Sequence, residues 1–147
     1  MPSDTFIRYP TDHLLASFRD PTDAARAASD LVTAGTPTPD VDILRGEPGA
    51  ERLDGTGRLH GRLARVRRGL SFAFMDQMPD LAWHEQTVRE GGAVLMLRVR
   101  GDAAKAAAIA TVRQRGSHFV NYYGRFATED ILPWQGPEPE IANVLKR

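Results

Sequence analysis

The chain has 147 residues, 41% of them hydrophobic and 26% charged, a size and balance that suit one globular domain. It has no cysteine, which excludes disulfides, a thiol nucleophile and any cysteine-based zinc or redox site. Nineteen basic residues balance nineteen acidic ones, so no global field draws it to nucleic acid or anionic lipid, and no apolar stretch nears the ~20 residues of a membrane span.

The first segment, Met1–His13, carries Asp4, Arg8 and Asp12 without an apolar centre, so no secretory signal is expected and the cytoplasm is the expected compartment. His13–Phe18 reads as a short strand. Asp20 can cap a helix and Pro21 fits its first turn, and the helical stretch Ala24–Ala34 ends at Gly35, a natural left-handed stop. Ala25, Ala28, Leu31 and Val32 form its apolar stripe, and Val41–Leu44 reads as a second strand.

The same order returns later. Ala93–Val99 is the most strand-like run of the chain, and Asp102 is placed to cap a helix that runs to Arg115 and stops at Gly116. Ala106, Ile109 and Val112 mark its inner stripe, and His118–Tyr123 follows as an aromatic strand. A shift of 81 positions lays Gly35 on Gly116 and Leu31 on Val112. Two strand–helix–strand units in one sheet predict an α+β, ferredoxin-like split βαβ sandwich: a four-stranded antiparallel sheet with two helices on one face. The expected organisation is a single domain, with one unit over 13–45, a helical insert over 46–92, a second unit over 93–126 and a tail over 127–147. Within the insert, Ala50–Leu53 reads as a short helical turn. Leu59–Phe74 and Leu81–Glu90 read as longer helices, the latter with Leu81, Trp83, His84 and Val88 available to pack.

The helices ending at Gly35 and entering Gly91-Gly92-Ala93 are similar to those of bacterial general-stress-protein-like α/β domains. Gly49-Ala50, His60-Gly61 and His118-Phe119-x-x-Tyr122-Tyr123-Gly124 resemble an uncharacterised variety of that group. The resemblance implies a stress-associated or housekeeping protein, and no reaction or catalytic residue.

Candidate chemistry is sparse. His13, His60, His84 and His118 never fall at the i, i+4 or alternate-residue spacings of metal ligands, so they read as surface or capping residues and no metal or cofactor is expected. There is no G-x-S-x-G, and Ser117 beside His118 makes no triad by adjacency; the balance is against an enzyme. The glycine loop Asp54–Gly61 leads into a basic helix, so Arg58, His60 and Arg62 form a candidate anion site. The arginines from Arg58 to Arg68 are a second, disfavoured route to nucleic acid or anions.

The sheet's second face is more informative. On the first strand Leu14, Ala16 and Phe18 alternate with His13, Leu15 and Ser17; on the third, Leu95, Leu97 and Val99 alternate with Val94, Met96 and Arg98. The second sets are too apolar for water and too polar for a plain core. A cover is expected there, either the insert or a second subunit in a homodimer, with a small-molecule pocket beside Arg98, His13, Ser17, Met96 and Tyr122. The expected function is self-association or small-ligand binding. The alternative is a dimeric α+β barrel-type enzyme or cofactor binder that uses His13 and Arg98.

Overall fold

The computed structural model describes residues 11–53, 77–124 and 128–135, with backbone alone for 77–80. In chain order the elements are β1 (His13–Phe18), α1 (Pro21–Thr33), β2 (Val41–Arg45), α2 (Gly46–Leu53), α3 (Gln77–Arg89), β3 (Ala93–Arg98), α4 (Asp102–Gln114), β4 (Phe119–Tyr123) and β5 (Thr128–Leu132). A single turn of 3-10 helix, Thr38–Asp40, leads into β2. The strands form one sheet in the order β2-β3-β1-β4-β5, every neighbouring pair antiparallel.

The four expected strands are joined by a fifth. β5 lies in the segment expected to be tail, and its Thr-Glu-Asp-Ile-Leu sequence lacks the β-branched alternation that marks a strand. Charged, half-exposed residues suit its place at the sheet edge, where unpaired backbone must be kept from other chains.

Local signals explain the helix ends. The Asp20 side chain accepts from the Thr22 N–H at 2.9 Å, with proline in the first turn. Gly35 and Gly116, the stops after α1 and α4, have φ of +113° and +91°, values that favour glycine. One cap differs from expectation: Gly101 precedes α4 and Asp102 lies within its first turn. The buried faces overlap the expected stripes in part: Leu31 and Val112 are buried and Ala28 and Ile109 pack against the core, whereas Ala25, Val32 and Ala106 face outward. In α1 the buried residues are Ala24, Ala27 and Leu31, with Val32 40% exposed; in α4 they are Ala108 and Val112. Alanines give weak sequence contrast, so the sheet decides which of them face inward.

Two cores flank the sheet. Leu14, Ala16, Phe18, Leu95, Leu97 and Val120 pack with α1 and α4 on one face. On the other, Leu15, Leu44, Val94 and Tyr123 pack with Ala50 and Leu53 of α2 and Leu81 and Val88 of α3, with half-buried Met96 beside them. The chain's own insert therefore covers the second face, which removes the reason to expect a second subunit there. The short turn expected at Ala50–Leu53 is in fact an eight-residue helix. Arg52 of α2 donates to Asp42 of β2 at 2.8 Å, and Arg89 of α3 reaches Glu85 at 2.7 Å and Glu47 of α2 at 2.8 Å. The expected helix over 59–74 lies outside the described residues.

Leu95, 1% exposed, lies at the middle of the α1–α4 core, so Leu95→Ala should cost about 2–5 kcal/mol. Val32→Ala should stay within about 0.5 kcal/mol. Denaturant unfolding of both variants is the check, and equal losses would contradict this assignment of the core face.

Candidate functional site

Ser17 of β1, His84 of α3 and Asn121 of β4 are all completely buried on the insert-covered face. The Asn121 Nδ2 donates to Asp130 Oδ1 of β5 at 2.9 Å, so its Oδ1 is the acceptor that faces His84. His84 Nε2–H donates to that oxygen at 2.7 Å, which leaves Nδ1 as the acceptor of the Ser17 hydroxyl, also at 2.7 Å. Burial pushes the His84 pKa down to about 3, and that neutral form is the one this chain of donors and acceptors requires. A serine, a histidine and an asparagine in a row suggest nucleophilic catalysis. Ser17 is sealed at 0% exposure, so no substrate carbonyl reaches its oxygen, and the chain acts as a polar pin between insert and sheet.

One turn after His84, Thr87 faces His118, the residue just before β4. The Thr87 hydroxyl donates to the Trp83 carbonyl at 3.3 Å and accepts from His118 Nε2–H at 3.4 Å, a long contact. The His118 backbone N–H donates to the Ser17 carbonyl at 3.0 Å, and the Ser117 hydroxyl donates to the same oxygen at 2.8 Å. Burial, with the nearby Arg19 charge, lowers the His118 pKa to about 4. His118 is 5% exposed, and its Nδ1 has no hydrogen-bond partner among the described residues.

His118 lines a cleft of about 320 Å³ together with Arg19, Thr87, Glu90, Gly92 and Trp134. Trp134, just after β5, stands edge-on to His118 at 4.7 Å between ring centres and packs against Phe119 and Trp83. The Arg19 guanidinium lies 5.9 Å from the Trp134 ring centre and donates to the Gln135 carbonyl, while the Gln135 N–H donates to the His118 carbonyl at 3.0 Å. Gly92 is required at the base of the cleft: a Cβ there would lie 2.4 Å from the Phe18 carbonyl oxygen.

The residues expected to form a pocket are not brought together. His13 and Arg98 are cross-strand partners, but Arg98 is exposed at the end of β3 and the His13 ring nitrogen faces the Thr11 carbonyl at 2.8 Å. Ser17 is in the buried pin and Met96 packs half-buried in the α2–α3 core. Tyr122 is on the opposite face: it pairs with Leu14, its hydroxyl donates to the Val99 carbonyl at 3.3 Å, and Lys105 lies over its ring. The strand starts one residue later than expected, at Phe119, and Tyr123 takes the insert-facing place instead. Arg98 also borders a groove of about 550 Å³ between α1 and α4. Arg58, His60 and Arg62 lie outside the described residues. His84 and His118 are buried rather than surface or capping histidines, a fact hidden in the sequence because their partners lie 67 and 31 positions away.

Among the described residues no helix is long and apolar enough to cross a membrane, and no three His, Asp or Glu side chains gather as metal ligands. Comparisons with family models, curated proteins and solved structures found no match for the chain.

Both buried histidines have folded pKa values below the ordinary 6.5, about 3 for His84 and about 4 for His118. The unfolded chain therefore binds more protons in this window, and stability is full above pH about 6.5 and falls as pH drops towards 4. Each histidine should contribute a slope of about 1.4 kcal/mol per pH unit within its window. Denaturant titrations at several pH values should show His84→Gln losing about half of this slope; a variant with the wild-type slope would contradict a buried neutral His84.

Proposed function

We propose that this chain is a small-ligand-binding domain whose site is the cleft between the end of β1, the end of α3 and the segment after β5. The observation that carries the reading is the cleft itself, which sets Arg19 and Glu90 beside the rings of His118 and Trp134. The walls combine an apolar ring, Trp134, with a few convergent polar groups, the composition of small-molecule sites. The volume equals about ten waters at ~30 Å³ each, which suits a compact metabolite rather than a large cofactor.

The fold that presents this site is, on our reading, a ferredoxin-like split βαβ sandwich extended by the edge strand β5. The order β2-β3-β1-β4, with α1 and α4 on one face, supports it. The insert then supplies one wall of the cleft through Thr87 and Glu90. The stress-associated role implied by the resemblance names no residue of this cleft, and binding is the reading that the side chains themselves favour.

Calorimetric titration with small carboxylates, amino acids and amines tests the proposal. At least one should bind with one-to-one stoichiometry and lose about tenfold or more in affinity in Arg19→Gln, as removal of a charged partner does. Arg98→Gln should leave that affinity unchanged. Failure of the whole panel, or sensitivity to Arg98→Gln alone, would overturn the assignment.

A further inference from the structure

We propose that Pro133–Gln135 is a strap that opens locally over the His118 ring and shuts again, while the sheet and the insert stay folded. The strap carries one wall of the cleft, Trp134, and its motion needs no ligand.

β4 and β5 fall out of step before the strap begins. Asn121 pairs with Asp130 but Val120 with Leu132, so one residue of β5 has no opposite number. A second extra residue follows. His118 lies two residues before Val120, whereas Gln135, whose N–H donates to the His118 carbonyl, lies three after Leu132. Extra residues on one strand interrupt the ladder and re-aim side chains. Here the surplus falls on Pro133 and Trp134. Proline has no N–H to give to a ladder, and Trp134 lays its ring against Trp83, His118 and Phe119. Two exposed residues close the strap: Gln135, through the bond to His118, and Arg19, whose guanidinium donates to the Gln135 carbonyl.

The closed strap gains ring contacts at the expense of polar ones. His118 Nδ1 and Trp83 Nε1 are buried without a hydrogen-bond partner among the described residues. Both rings touch Trp134, at 4.7 and 5.5 Å between centres. Lifting Trp134 removes the ring that these two side chains share, and solvent then supplies the missing partners. A short segment with such opposing contributions, tied down by exposed hydrogen bonds, opens at a fraction of the global cost. His84 is placed differently: it is completely buried, and both of its nitrogens are bonded. Its exposure requires α3 to leave the sheet.

Carbethoxylation by diethyl pyrocarbonate near neutral pH, followed at each histidine by peptide mass mapping, separates the two motions. In the wild type His118 should react more slowly than free imidazole, yet at least about tenfold faster than His84. Arg19→Gln removes one tie, and Gln135→Pro removes the N–H of the other. Each should raise the His118 rate by about tenfold or more and leave the His84 rate unchanged. Equal rates at the two histidines of the wild type would overturn the strap. So would a His118 rate that neither variant changes, or His84 rising in step with His118 in both.

Discussion

A buried imidazole that must stay neutral fixes how the insert sits on the sheet. His84 faces a hydroxyl on β1 and an amide on β4, and both bonds are 2.7 Å with every atom out of water. A slide of α3 along the sheet would break two buried hydrogen bonds at once and leave polar atoms unpaired in a low-dielectric core. Apolar contacts of Leu81 and Val88 hold α3 to the same face, but such contacts tolerate small shifts. The polar pin supplies the register that apolar packing leaves loose.

The cleft follows from that register. With His84 fixed over Ser17, Thr87 comes to His118, and the chain reversal after α3 brings Gly92 against the Phe18 carbonyl. Any side chain at Gly92 would collide with the Phe18 carbonyl and with Thr87, so this close approach requires glycine. The other wall comes from the sheet edge: β5 extends β4, and Gln135 is held by His118 on one side and Arg19 on the other. Trp134 is thereby positioned over the mouth. Four segments distant in sequence, around Arg19, Thr87–Gly92, His118 and Trp134, meet at one small volume.

The sequence made the α1–α4 half of the fold legible and most of the site illegible. Strand alternation in His13–Phe18 and Ala93–Val99 sorted residues correctly between the two faces, and the glycine stops at 35 and 116 bounded both helices. The mixed character of His13, Leu15 and Ser17 rightly implied a covered face, because apolar residues there needed shelter. What lay beyond reach was the pairing of single polar residues across long separations. Ser17, His84 and Asn121 look unremarkable apart, since only the register of two strands and a helix joins them. Tyr122 was misplaced for a simpler reason: in a strand, a one-residue error of phase moves a side chain to the other face. β5 escaped notice because charge at an edge strand imitates a loop.

The account depends on both imidazoles being neutral, with the proton on Nε2 and a lone pair on Nδ1. Long-range proton–nitrogen correlation of the imidazole rings at neutral pH, without ligand, reads this directly. His84 and His118 should each show a protonated Nε2 and an unprotonated Nδ1, with only the His84 Nδ1 shifted by a hydrogen bond, from Ser17. An imidazolium at His84 would contradict the pin, and a charged His118 or a proton on its Nδ1 would contradict the contact that it makes with Thr87.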